Sequence, residues 1–164
     1  MDVLIRPSRI EDAPAFSEAV TRVATEKRYL STVEGYSVEQ TRSYLQRAAE
    51  GTLYQFVAEA DGRVVGACDI SPRQAVGFTH VGILGMFVLP EWRGRGIGSR
   101  LLGACLTAAR RAGLERIELE VYADNEAAIR LYEAHGFVRE GCKRRGRKLE
   151  GHYQDVLLMA LVLS

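Results

Sequence analysis

A mixed α/β architecture, a central sheet flanked by helices in one domain over residues 1–164, is what the patterning of this chain implies. Strand-like runs crowd the region ahead of Pro90, and a helix–strand–helix–strand alternation follows it. No Pro-, Gly- or Ser-rich linker, internal repeat or low-complexity stretch divides the two halves. A domain of this length buries roughly two thirds of its unfolded surface, so a substantial core is expected.

Val3–Arg6 is a short strand closed by Pro7, and the polar stretch Ser8–Asp12 leads into a helix reaching about Thr25. In "GYSVEQTRSYLQRAAEG", Ser37 and Gln40 have capping-box spacing and Gly51 stands where a C-terminal cap belongs, which makes this the second helix. "LYQFVAEADGRVVGACDI" holds two β-rich runs that meet at Asp61-Gly62, a two-residue hairpin signal. "HVGILGMFVL" predicts a third long strand. Beyond it Ile97, Leu101, Leu102, Cys105 and Ala108 or Ala109 recur at helical spacing as far as Gly113. "RIELEVY" reads as a strand, "NEAAIRLYEAHG" as a helix from an Asn cap to a Gly stop, and "YQDVLLMALVL" as the final strand. The basic run Arg139–Lys148 is expected to span a hairpin tip between the last two strands.

Hydrophobic residues at 47% and charged residues at 26% argue against disorder. A net charge of +1 supplies no bulk attraction for nucleic acid or membrane, so neither is expected as a partner. Cys68, Cys105 and Cys142 are odd in number and too far apart for a disulfide framework or a CxxC site; they read as reduced thiols of a cytoplasmic protein. His135 and His152 lack metal-ligand spacing, and no metal is expected. Nor is there a leader-like or membrane-spanning apolar run.

The densest chemistry lies in "PEWRGRGIGSRLL", where Gly94, Gly96 and Gly98 alternate just ahead of a helix. Glycine admits positive φ and lets backbone amides approach a ligand closely. A helix start adds about four unpaired N–H groups and the positive end of the macrodipole. Together they make an anion cradle, most often for phosphate. The string is not a Walker A loop, and Ser99 occupies the place of the third glycine in a dinucleotide fingerprint.

Three segments then arrive in one order: Arg93-Gly94-Arg95-Gly96-Ile97-Gly98, "NEAAIRLYEAHGF" from Asn125 to Phe137, and "EGHYQDVLLMAL" near the end. This set resembles the GNAT acetyltransferase superfamily over nearly the whole chain, most specifically from Met86 to Phe137. The resemblance implies the GNAT acyl-CoA N-acyltransferase fold and acetyl-CoA as cosubstrate. It further implies that the backbone of Met86, Phe87 and Val88 pairs with the pantetheine arm. Amides of Gly94, Gly96, Ile97, Gly98 and Ser99 would take the pyrophosphate, with Arg93 and Arg95 adding charge-assisted bonds. Asn125 would cap its helix and serve the cofactor arm. Tyr132, two helical turns further on, would donate a proton to the departing thiolate; the alternative is a core tyrosine among Ile129, Leu131 and Phe137.

An acceptor amine must lose a proton before it attacks, since a lysine-like amine has a pKa near ~10.4. On the strand face His80, Gly82, Leu84, Met86 and Val88, His80 is the one titratable group, either a catalytic base acting through water or a solvated histidine at the strand start. Glu26, Glu34 and Tyr36 are candidates for acceptor binding, because the loop between the first two helices covers the acceptor in the family. The run Arg139–Lys148 is either a solvated face or a dock for an acidic acceptor, RNA or the cofactor's terminal phosphate.

The expected reaction is direct transfer of acetyl from acetyl-CoA to the primary amine of a small molecule, an amino acid or related amine. A strand amide near Phe87 and Val88 would polarise the thioester carbonyl. Acetylation of a protein N-terminus and a non-catalytic CoA-binding regulatory module are the alternatives, and Tyr132 disfavours the module. A homodimer is common in the family the chain resembles.

Overall fold

The computed structural model describes residues 2–163. Seven strands form one sheet: β1 (Leu4–Pro7), β2 (Tyr54–Ala60), β3 (Arg63–Pro72), β4 (Val81–Val88), β5 (Arg116–Tyr122), β6 (Val138–Leu149) and β7 (His152–Val162). Four helices join them: α1 (Ala13–Ala24), α2 (Val38–Ala49), α3 (Ile97–Arg111) and α4 (Glu126–Ala134). The spatial order is β1-β2-β3-β4-β5-β7-β6, and β4 with β5 is the parallel pair because α3 crosses between them.

Local chemistry sets these elements as the sequence predicts. Ser37 Oγ accepts from the Gln40 N–H at 3.1 Å and Gln40 Oε1 from the Ser37 N–H at 2.9 Å, so the capping box opens α2. Asp61 and Gly62 adopt φ of 51° and 72°, the left-handed pair that a two-residue hairpin between β2 and β3 needs. Leu101, Leu102, Cys105 and Ala109 bury one stripe of α3 against the sheet.

Helices cover both faces, and β4 shows which. Adjacent strand residues point to opposite sides. The Phe87 ring meets Phe16 of α1 edge-on, with centroids 5.6 Å apart, whereas Met86 packs beside Gly98 at the start of α3. One face therefore carries α1 and α2, and the other carries α3.

Two expectations are corrected. Arg139–Lys148 lies along β6, and the hairpin tip is Glu150-Gly151 instead. As the outermost strand β6 keeps nearly all its side chains in solvent, which is where basic residues are tolerated and protect an open edge. His80 precedes β4 rather than belonging to it; it is exposed, and its carbonyl accepts from Glu115 and Arg116 at the foot of β5.

The feature that positions the site is a parting of the sheet. Parallel pairing of β4 with β5 ends at Ile83↔Glu118, while β3 holds β4 up to Val88 and β7 holds β5 up to Tyr122. Beyond Ile83 the two strands diverge, and one edge of β4 is left without a neighbour.

Candidate active site

Hydrogen-bond alternation decides which groups face the gap. Arg73 N–H donates to Val81 O and Leu89 N–H to Val65 O, so the odd-numbered residues of β4 turn their backbone toward β3. Leu84, Met86 and Val88 therefore present theirs to the gap. Phe87, expected among the cofactor contacts, is corrected on this ground: its backbone is directed into β3 and its ring toward α1. The Val88 carbonyl is already engaged by Arg93 Nε at 2.9 Å.

At the end of this edge the chain enters the glycine loop. Gly94 and Gly96 have φ of 73° and 77°, and nothing lies within 4 Å of where a Cβ would stand on either. The first bond into α3 runs from Arg100 N–H to Gly96 O, so the amides of Ile97, Gly98 and Ser99 have no backbone acceptor. Gly98 has a different task. A Cβ there would approach Leu131 Cδ2 to 3.1 Å and Met86 Cε to 3.3 Å, so this glycine lets α3, α4 and β4 converge.

Residues of α4 and its cap form the other wall. Asn125 Oδ1 accepts from the Ala128 N–H at 3.3 Å, and its amide nitrogen has no partner among the described residues. Tyr132 is buried, with Phe137 tilted beside it at 5.7 Å between centroids; burial, with the Cys68 sulfur as a lesser influence, raises its pKa. Among the described residues the Tyr132 hydroxyl has no hydrogen-bond partner. Ser99 Oγ sits 2.9 Å from His135 Nε2, a contact linking the start of α3 to the end of α4.

On the α1–α2 face, the loop after α1 roofs a cavity of ≈ 630 Å³ floored by Ala67, Asp69, Gly85 and Phe87. Phe16, Val20, Leu30 and Tyr36 contribute to its sides. The loop is tied down by Ser17 Oγ donating to Tyr36 O at 2.7 Å. Asp69 Oδ2 accepts from the Tyr44 hydroxyl at 2.5 Å. Burial, against the pull of that hydroxyl, of the Gln55 amide and of the Arg47 charge, pushes the Asp69 carboxyl up to about 6, and Tyr44 is itself raised by burial and by the carboxylate beside it.

A strand edge that would accept an amide-bearing arm, adjoining a cradle of unpaired amides, is the observation that fits a nucleotide thioester. The Acetyltransferase (GNAT) family description matches residues 19–137, more than half of the chain. The chain belongs to the GNAT acetyltransferase family. It is an acetyl-CoA-dependent N-acetyltransferase, and neighbours of the same fold include complexes with acetyl-CoA.

Relatives of this acetyltransferase differ in acceptor. The L-amino acid N-acetyltransferase AaaT of Escherichia coli is 36% identical over 111 residues, 67% of this chain and 68% of that protein. N-alpha-acetyltransferase 30 of Schizosaccharomyces pombe is 35% identical over 107 residues, 65% of this chain and 69% of that protein. A crystal structure of a GNAT acetyltransferase from Streptococcus pneumoniae, 30% identical, superposes with a TM-score of 0.92 over 99% of this chain and 100% of that one.

Several site residues of this GNAT chain fall elsewhere than the sequence implies. His80 is about 20 Å or more along β4 from Met86 and Val88 at the usual strand rise, which removes it as a base for chemistry there. Arg93 turns its guanidinium away from the cradle and onto Glu26, both of whose carboxylate oxygens it holds. Glu26 is thereby a partner of the glycine loop and not part of the cavity lining, and Glu34 is exposed outside that lining. Tyr36 alone of the three acceptor candidates lines the cavity. Arg95 stacks over Trp92 at 4.9 Å.

Asp69, Tyr44 and Gly85 were not legible as site residues. Their strand and helix positions read as ordinary sheet and surface until register brings them together. Among the described residues no group of three His, Cys, Asp or Glu side chains is placed to hold a metal, and no helix is long and apolar enough to cross a membrane.

Proposed function

We propose that this N-acetyltransferase acts on the primary amine of a small molecule entering the cavity under the α1–α2 loop. The observation that carries the reading is a clasp between that loop and the β6–β7 hairpin. Arg147 Nη1 donates to Lys27 O at 3.1 Å, and Lys27 Nζ pairs with Glu150 at 2.5 Å. Arg147 also donates to Gln154 Oε1 at 2.6 Å and lies 4.7 Å over the Tyr122 ring. The clasp reaches the cavity wall at Leu30, whose carbonyl accepts from Arg147 Nη2 at 3.5 Å, and in this reading a loop pinned to the hairpin leaves a closed cavity suited to a short acceptor rather than an open groove for a peptide. The clasp also gives part of the basic run a structural task.

In this reading acetyl-CoA supplies the acetyl thioester. The free amides of Ile97, Gly98 and Ser99 hold the pyrophosphate, assisted by the helix dipole. The gap-facing backbone of Met86 and Val88 aligns the amide-bearing arm as a further strand would, and the Val88 N–H polarises the thioester carbonyl. Asn125 orders the arm through its free amide, and Tyr132 returns a proton to sulfur. Buried thiols at Cys68 and Cys105 accord with a reducing, cytoplasmic setting.

Release of CoA thiol, measured over a panel of small amines and of peptides with free N-termini, tests this. Turnover on small amines and none on peptides is the expected outcome. Efficient turnover confined to peptides would favour a protein N-terminus, the acceptor that the name of the Schizosaccharomyces pombe relative carries.

A further inference from the structure

Asp69 is the only charged residue among those lining the acceptor cavity. The Tyr44 hydroxyl is its one well-formed hydrogen-bond partner among the described residues, on Oδ2; the Gln55 amide lies near enough to stabilise the carboxylate but outside good hydrogen-bond geometry. Arg47, whose charge reaches Asp69, is turned to Ser71 Oγ at 2.9 Å. A carboxylate held between apolar walls with no cation bonded to it is costly. Its missing counter-ion is the first sign of a cationic ligand.

Register supplies the second sign. Gln55 of β2, Asp69 of β3 and Gly85 of β4 lie in one row across the sheet, on the face toward α1 and α2. Both amide atoms of Gln55 are buried without a hydrogen-bond partner. Gly85 leaves the space in front of the carboxylate open, since a Cβ there would stand 3.7 Å from Oδ1 and 4.0 Å from Oδ2. Its chain neighbour Met86 turns its backbone to the gap on the other side. A group docked on Asp69 above Gly85 thus lies beside the start of the free strand edge at Met86.

We infer that the acceptor is a monocation, a primary amine on an uncharged and largely apolar arm, whose ammonium docks on Asp69 above Gly85. This rests on the small-molecule reading given above. Asp69 takes one proton from the ammonium, leaving a neutral amine with a free lone pair and a protonated carboxyl. The amine nitrogen bonds the acetyl carbon, and the carbon–sulfur bond breaks with its electron pair passing to sulfur, which takes the Tyr132 proton and leaves as CoA thiol; the second amine proton passes to water as the amide forms, and water returns a proton to Tyr132. A second negative charge on the acceptor would enter a cavity whose lining holds a carboxylate and no cation. Acceptors bearing an acid, free α-amino acids included, are therefore disfavoured.

The test uses arm-matched acceptors with the intact enzyme and saturating acetyl-CoA. For 2-phenylethylamine and phenylalaninamide, kcat/KM is expected to exceed that for phenylalanine by tenfold or more, and hexylamine is expected to exceed 6-aminohexanoate likewise. Asp69→Asn, which keeps the size and can still accept the Tyr44 O–H, should raise the KM for the amines and shrink the preference to within about threefold. Gly85→Val should close the dock while leaving protection by acetyl-CoA against thermal unfolding in place. Equal use of acids and amines by the wild type overturns the inference and leaves the small-molecule reading standing. So does a preference that survives in Asp69→Asn. Turnover restricted to peptide N-termini removes both.

Discussion

Arg93 grips Glu26 with both terminal nitrogens, at 3.0 and 2.8 Å, while its Nε donates to the Val88 carbonyl at 2.9 Å. One guanidinium so joins the loop roofing the cavity to the last residue of the strand edge. Tyr29 of the same loop lies beneath it, 4.6 Å from ring centroid to guanidinium carbon. The pair is partly exposed, so its worth in stability is small, about 0.5 kcal/mol. Its effect belongs to loop position.

Glu26→Ala should accordingly loosen the roof. The acceptor KM is expected to rise several-fold with Tm nearly unchanged, and acetyl-CoA affinity should hold or improve as Arg93 becomes free to turn toward the cradle. Steady-state kinetics with each substrate varied in turn separates the two effects. An acceptor KM that does not move would show that the loop is held by its other ties alone.

The glycines of the loop divide by task, and substitution should divide them too. Gly96→Val places a branched side chain in the open cradle at a positive φ, so it should abolish binding. At one hundred times its Kd, acetyl-CoA should stabilise the wild type by about 2.7 kcal/mol, and Gly96→Val should lose this gain. Gly98→Ala presses on Leu131 and Met86 instead, so it should lower Tm in the absence of ligand. Thermal unfolding with and without acetyl-CoA reads both.

These divisions show what the amino-acid order revealed. Caps, hairpin turns and the glycine loop are short-range signals, and Ser37, Asp61 and Gly96 each take the conformation their neighbours imply. The cavity under the α1–α2 loop is a long-range product. Asp69 meets Tyr44 only because α2 folds back over β3, and Gly85 opens beside it only in the observed strand register. His80 misled because period-two reading puts it on the face of Met86 without saying where the strand begins or how far along it the gap opens. Basic residues at 139–148 suggested a turn by composition, yet an edge strand accepts the same composition.

Asp69 should oppose stability where it supports activity. Its pKa is raised by burial to about 6, facing Tyr44 and Arg47 from α2, Gln55 from β2 and no ionisable group from Gly85 on β4. The folded state therefore binds more protons than the unfolded state between the unfolded pKa near ~3.9 and about 6. This contribution to stability is full below that window and is lost as pH rises through the folded pKa. Asp69→Asn removes the penalty, so it should be more stable than wild type at pH 8, on the order of 1–2 kcal/mol once solvent reaching through the cavity is allowed for, and no more stable at pH 4. Tm measured across that range checks the sign; a gain that persists at pH 4 would point to packing rather than charge.

Tyr132 tests where the departing thiolate finds its proton. Its ring is packed against Phe137 and its hydroxyl has no partner among the described residues, so Tyr132→Phe removes the proposed proton donor without opening a cavity or orphaning another group. A thiolate leaving group resembles a cysteine, with a reference pKa near ~8.5, and a phenol held beside it can share its proton as charge builds on sulfur. Burial holds this phenol in its protonated form across the working range of pH. Tm and acetyl-CoA affinity of Tyr132→Phe should match the wild type, while turnover falls roughly a hundredfold or more, the lower range for general acid catalysis. The decrease should appear in kcat with both KM values little changed, since the proton is needed only as the carbon–sulfur bond breaks. Full activity in the variant would assign the proton to water, and loss of acetyl-CoA binding along with turnover would make the hydroxyl a contact for the cofactor rather than an acid.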